Sequence, residues 1–327
     1  MPVRHSLLAG SVALLWGLNF VAIDVGLETF PPLLFVALRF ALTAFPAVLV
    51  TRKPGVGWRW VIAVGALISV GQFGLLFVGI DAGMPAGLSA LVLQLQAVFT
   101  IVLAVALLGE RPTRTQLLGA SVAFLGLALI AAGRAESVPL VAVLLVVGAA
   151  ASWGASNICT RLSRPPDAFA LLVWASLVGP VPLAALSLAV EGPDAMIDAM
   201  SSLGWPGLLS LLYIVVVATL FGWGAWTWLL ARHPASSVAP FSLLAPVAAL
   251  ISTWLVRGEQ PTAPALVGGV VILAGLALTI FGLPRWHWIR VRPPALSSLA
   301  QLDDAPGARR ASCFSADAPA DAEEGSG

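Results

Sequence analysis

Side chains able to bind or charge a solute are scarce in the long apolar stretches of this 327-residue chain. Asn19, Gln72, Gln94, Gln96 and Asn157 are amides set deep inside those stretches, and Arg39 is the one basic residue well within one. Hydrocarbon satisfies no polar group, so such side chains face a partner or a cavity. Trp16 and Asn19 are three residues apart, in WGLN, and Trp153 and Asn157 are four apart, in WGASN. On a helix either spacing puts both side chains on one face. Each face either lines a substrate cavity or supplies interhelical hydrogen bonds. Gln94 and Gln96 are two apart and are expected on nearly opposite faces, so that only one reaches a shared cavity. Arg39 suits capture of a substrate carboxylate or a gate contact; the alternatives are snorkelling to the interface and pairing with Asp24 or Asp81. Tyr213, Trp223, Trp226 and Trp228 make one stretch aromatic, as a cavity wall or as an interfacial belt, the belt being favoured for Trp226 and Trp228. Pro246, six residues after Pro240, removes a backbone hydrogen bond in mid-helix and reads as a hinge or as packing.

The remaining chemistry is sparse. The three histidines (His5, His233 and His287) sit near the ends of apolar runs, and no HExxH, Cys-x-x-Cys or Walker motif is present. No Asp or Glu stands at mid-span, where a proton-coupled carrier commonly keeps one. No catalytic, cofactor or metal site is therefore expected, and the chain does not read as an enzyme. Cys159 and Cys313 make no disulfide framework.

Composition places these residues in a bilayer. The chain is 59% hydrophobic and 10% charged, against about 25% charged for a soluble domain. A helical span needs about 20 apolar residues, and ten stretches qualify: 6–26, 33–50, 58–80, 86–108, 115–133, 139–158, 168–190, 205–230, 236–256 and 263–282. The first is long enough to span and lacks a small-x-small cleavage site, so it is read as a helix and not as a removed signal peptide. Residues 285–327 lose all periodicity and read as a disordered tail. With the N-terminus in the cytoplasm, twelve Lys and Arg fall in inside loops and two, Arg134 and Arg257, outside. That asymmetry predicts both termini cytoplasmic. A net charge of +1 suggests no nucleic-acid partner; the partners expected are the lipid bilayer and a small-molecule substrate.

An offset of 149 residues superimposes 85–130 on 234–279 without a gap, with 16 of 46 pairs identical, among them Gly109/Gly258, Glu110/Glu259, Gly119/Gly268 and Gly126/Gly275. A duplicated half is the ground plan of many transporters. Five spans per half is odd, so the second half enters the membrane from the other side. The fold class expected is thus an all-α membrane protein of ten helices in two inverted five-helix repeats, residues 1–134 and 135–284. Gln94, Gln96 and Pro246 break the repeat, matching Leu243, Ala245 and Ala97. The stripe Gly148, Ser152, Ser156 and the glycines of spans five and ten suit close helix approach; the latter also allow a homodimer face.

WGLNF in the first span, LRF in the second, MPAGLSALVLQLQAVFT and GE in the fourth and a second GE before the tenth resemble the EamA family of the drug/metabolite transporter superfamily. The resemblance covers about residues 6–284 and implies an inner-membrane exporter of small amino acids and their metabolites, with O-acetylserine and cysteine as leading substrates. It further implies a central cavity lined by helices 1, 3, 4, 6, 8 and 9, and so substrate-binding roles for Trp16, Asn19, Gln72, Gln94 or Gln96, Trp153, Asn157 and Tyr213. Another solute on the same fold (aromatic amino acids, nucleosides or drugs) and a passive channel are the alternatives.

Overall fold

The computed structural model describes residues 2–109, 112–132, 138–233, 238–258 and 260–281. The expected tail, Arg134 and the glutamates of both GE pairs lie outside them. Among the described residues every regular element is a helix. Seven are long and apolar enough to cross a membrane: α1 (Val3–Leu27), α2 (Pro32–Val50), α3 (Trp58–Asp81), α4 (Ala86–Leu108), α6 (Leu140–Ser163), α7 (Ala168–Val190) and α8 (Trp205–Leu230). Three shorter apolar helices, α5 (Arg114–Ala132), α9 (Phe241–Arg257) and α10 (Ala263–Phe281), occupy the other predicted stretches. One short helix, Pro193–Ser201, stands where sequence reading left a loop. Pro193 at its first turn and Asp194 beside the N-terminal dipole start it.

The 149-residue offset reappears as geometry. Gly17, next to Trp16, lets α1 lie on α9: a β-carbon there would fall 2.8 Å from both the Ala245 carbonyl oxygen and the Ala249 nitrogen, and against Ala248. Gly154, next to Trp153, lets α6 lie on α4: its β-carbon would fall 3.1 Å from the Gln96 oxygen, 2.8 Å from Phe99 Cβ and 3.0 Å from the Thr100 nitrogen. Residues 245, 248 and 249 are 96, 99 and 100 shifted by 149, so the two crossings are one contact made twice. α5 and α10 do the same. A β-carbon on Gly126 would fall 2.6 Å from the Gly268 carbonyl oxygen, and one on Gly275 would fall 2.6 Å from the Gly119 carbonyl oxygen. These glycines, expected to let helices approach closely, do so in the α5–α10 contact within the chain.

Irregular backbone is paired in the same way. α3 contains a π-helical segment at Leu67–Gly74 and α8 one at Tyr213–Phe221. α4 breaks at Gln94–Leu95, and α9 begins as the 3-10 segment Ala239–Leu243. Both α4 and α9 end on a left-handed glycine, Gly109 at φ 65° and Gly258 at φ 69°. A β-carbon is strained in that conformation, and glycine satisfies the last helical carbonyls there. This accounts for the glycine of each GE pair.

Polar clamps close the two ends. Arg257, at the end of α9, pairs with Asp24 and Glu28 at the end of α1. Glu191, after α7, accepts from the Leu33 and Leu34 amides at the start of α2. At the other end of α1, His5 Nδ1 lies 2.6 Å from His233 Nε2.

The crossings predict a selective intolerance. Gly17→Val and Gly154→Val should each lower the thermal midpoint of the detergent-solubilised protein, since overpacking against backbone costs about 1–3 kcal/mol. Gly10→Ala, whose nearest neighbour would be 4.0 Å away, should leave the melt unchanged or raise it.

Candidate functional site

A cavity of about 310 Å³ lies between the two halves, within the roughly 300–1,000 Å³ usual for small-molecule sites. Seven helices contribute to it: α1, α2, α3, α4, α6, α8 and α9. Of the residues singled out from sequence, Trp16, Asn19, Arg39, Gln72, Gln94, Gln96, Trp153, Trp223, Trp226 and Pro246 line it. Asn157 and Tyr213 do not. Sequence reasoning missed Phe20, Phe73 and Ser242. Ser242 had a signal, for it is four residues before Pro246.

Gln94 and Gln96 reach the same cavity, against the expectation of opposite faces. The cause is the break in α4. The amides of Gln94, Leu95 and Ala97 bond to the carbonyls of Leu91, Val92 and Gln94, three residues back in each case. A 3-10 turn advances about 120° per residue rather than about 100°, which brings residues two apart about 40° nearer to each other. Their partners differ. Gln96 Oε1 accepts from Asn157 Nδ2 at 2.8 Å, and the same amide nitrogen donates to Thr100 Oγ1 at 3.1 Å. Asn157 thus joins α6 to α4 from behind the cavity wall and fixes the Gln96 side chain. Gln94 Nε2 approaches the Ser242 carbonyl of α9 at 3.5 Å. Pro246 has no N–H to offer that carbonyl, which is its i−4 position, so the regular α-helical bond is not made there.

The aromatic wall is built on α8. Trp16 sits between Trp223 and Trp226 with its ring tilted against both, at centroid distances of 5.4 and 5.1 Å. Trp16 Nε1 donates to the Ala218 carbonyl at 3.0 Å, inside the α8 π segment. Trp226, expected in the interfacial belt, is instead 8% exposed and on the cavity. Its spacing of three from Trp223 puts both on one face, and Trp16 holds that face inward. Trp228 points away, edge-on to His5 and beneath the Arg232 guanidinium at 4.1 Å. Tyr213 donates its hydroxyl to the Leu15 carbonyl at 2.9 Å, a contact that ties α8 to α1.

Arg39 neither snorkels nor pairs with Asp24 or Asp81. It is 3% exposed, its Nη2 donates to Thr219 Oγ1 at 3.1 Å, and its guanidinium lies 3.8 Å over the Phe73 ring. Asp24 is engaged by Arg257. Thr219 passes its own proton to the Ile214 carbonyl at 2.7 Å. Arg39 is the only charged side chain lining the cavity among the described residues, and no cluster of metal ligands occurs among them.

Residues 4–132 and 140–281 both match the model of the EamA-like transporter family. The chain belongs to the EamA-like transporter family. It is similar to proteins named probable amino-acid metabolite efflux pump in Salmonella typhimurium (41% identical; 86% of this chain and 96% of the relative) and in Escherichia coli (39%; 88% and 98%). A protein of Streptantibioticus cattleyicolor named probable terminal-alkyne amino-acid exporter is 29% identical, over 80% of this chain and 89% of the relative. A solved crystal structure at 19% identity shares the fold, with a TM-score of 0.58 over 87% of this chain and 98% of that one. As an EamA-like transporter the chain is a multi-pass membrane protein, and its cavity lies where both matched halves meet.

The two residues outside the lining separate packing from binding. Asn157→Leu releases Gln96 and should weaken substrate half-saturation about fivefold, the effect of a hydrogen bond worth about 1 kcal/mol. Tyr213→Phe should leave half-saturation unchanged and lower only the melting temperature. Transport kinetics and melts on both variants check this.

Proposed function

We propose that this protein exports small amino acids and their metabolites across the bacterial inner membrane, with O-acetylserine and cysteine as the leading substrates. The observation that carries the proposal is the cavity itself. Both halves build it, neutral amides from three helices face it, and tryptophans wall one side. Amides bond the carboxylate and ammonium of a zwitterion, whose net charge is zero, and aromatic walls take an apolar side chain. The names of the relatives at 41% and 39% identity point to the same class of cargo.

The mechanism is alternating access in ten crossings, the five-helix halves 1–134 and 135–284 rocking on one another about a central site. The N-terminus is cytoplasmic. The Arg257 clamp then closes the outer end of α1 and the His5–His233 contact its inner end. Motion is accommodated at the irregular segments: the π turns of α3 and α8, the break in α4, and the 3-10 entry to α9 with its hinge at Pro246. π and 3-10 turns have fewer well-aligned backbone bonds to lose when a helix bends.

Proteoliposomes loaded with labelled O-acetylserine, cysteine or other amino acids test the reading. Expected are saturable fluxes and counterflow by unlabelled substrate; linear, unsaturating flux would make the protein a channel, and no flux of any amino acid would remove the cargo. Orientation is checked by placing a cysteine at exposed Ser202 in a variant lacking Cys159 and Cys313. A membrane-impermeant maleimide should label intact cells there, because the loop between α7 and α8 lies outside.

A further inference from the structure

Arg39 poses a problem in electrostatics that the resting protein leaves unsolved. Its guanidinium offers five N–H donors. Only Nη2 has a hydrogen-bond partner, Thr219; Nε and Nη1 are buried with none among the described residues. The Phe73 ring covers one face at 3.8 Å, which offsets part of the charge but accepts no in-plane hydrogen bond. A charge inside the bilayer is costly, and isolating one member of a buried pair is costlier still. Asp24 and Glu28, the carboxylates nearest in sequence, are engaged by Arg257, and Glu191 by the start of α2. Whichever Nη2 hydrogen goes to Thr219, the other completes a two-pronged fork with an unpartnered neighbour, Nε on the side edge or Nη1 on the end edge. That fork matches a carboxylate.

A second orphan stands on the same cavity with the opposite polarity. Asn19 Oδ1 is buried and has no partner among the described residues. It is an acceptor where Arg39 presents donors. The cavity therefore withholds an anion from one wall and an N–H from another.

We propose that the open fork of Arg39 is the carboxylate subsite of the transported molecule and that Asn19 receives its ammonium, which makes a free carboxylate an obligatory feature of the cargo. This deepens the proposed export of amino acids and rests on it. In the state described here the unpartnered Arg39 atoms are shut away from water. The carboxylate reaches them when Phe73 and Thr219 part, and these two residues sit in the paired π segments of α3 and α8. Recognition of cargo is thereby built into the elements placed to bend.

The test uses the purified full-length protein in nanodiscs, with the fluorescence of the cavity tryptophans as readout, and four probes that differ by one group: cysteine, 3-mercaptopropionate (no ammonium), cysteine methyl ester (no carboxylate) and cysteamine (neither ester nor carboxylate). Both carboxylates should bind, and the ester and the amine should bind at least about tenfold more weakly, as for loss of a charged hydrogen bond. Arg39→Gln should abolish the preference of acid over ester while Arg39→Lys keeps part of it. Asn19→Leu should abolish the preference of cysteine over 3-mercaptopropionate. Equal binding of acid and ester by the native protein, no binding of either carboxylate, or an unchanged preference in Arg39→Gln overturns the subsite. The acid–ester comparison on native protein stands even if Arg39→Gln does not fold. Tight 3-mercaptopropionate binding without amino-acid flux in proteoliposomes would leave the subsite in place and remove the export reading, whereas amino-acid flux with indifferent ester binding would do the reverse.

Discussion

The structure depends on two places where backbone touches backbone across the halves. At Gly17 on α9 and at Gly154 on α4 a single added carbon would meet main-chain atoms near 3 Å. Lipid offers helices no hydrophobic reason to associate, so close packing and hydrogen bonds must supply it. With α1 seated on α9, Trp16 is carried to the α8 aromatics. With α6 seated on α4, Trp153 is carried to the cavity and Asn157 to Gln96. The tryptophan and the glycine of each WG pair thus do different jobs. Glycine sets the distance between halves, and tryptophan uses the position that distance creates.

Close approach alone would leave a solid bundle. The cavity exists because four helices are irregular where the crossings meet, and the freed backbone groups are taken up by side chains from neighbours. Trp16 donates to the Ala218 carbonyl, Ser152 to the Leu67 carbonyl at 2.9 Å and Gln94 to the Ser242 carbonyl. In a bilayer such backbone survives only where protein or a cavity replaces water. Each of these bonds joins two helices, so a bend in one is felt by the other.

Much of this was legible in the chain. The apolar lengths gave the helices, the 149-residue offset gave the paired contacts, and the scarcity of polar residues in apolar runs singled out five polar positions that do line the cavity, Asn19, Arg39, Gln72, Gln94 and Gln96. What the sequence hid was departure from the regular helix. Gln94 and Gln96 share a wall only because α4 tightens between them, and no residue at 94–95 advertises that turn as proline or glycine would. The π segments are equally silent: LISVGQFG and YIVVVATLF read as ordinary apolar helix. Tyr213 and Asn157 were misplaced for a related reason. A polar group in an apolar span has a partner, but sequence does not say whether that partner is a carbonyl, a second amide or a solute. Arg39 shows the same limit in reverse, since Asp24 is nearer in sequence than either Phe73 or Thr219, the residues it touches.

The positions that break the repeat are tied together physically. Pro246 stands where α4 has alanine, and its missing N–H removes the regular i−4 bond to the Ser242 carbonyl of α9. Gln94 stands where α9 has leucine, and its Nε2 reaches the same carbonyl from the other half, at a length of 3.5 Å that marks a weak bond. One half thus departs from the regular helical bond at the carbonyl that a polar group of the other half approaches. A symmetric pair of halves would have no such cross-link, and its cavity would present the same apolar residues from both sides. The exchange gives the cavity polarity and an asymmetric seam between α4 and α9. A bond of that length is readily surrendered to a better acceptor, such as one brought by a solute, and its loss would uncouple the two helices at the point where both already depart from regular geometry.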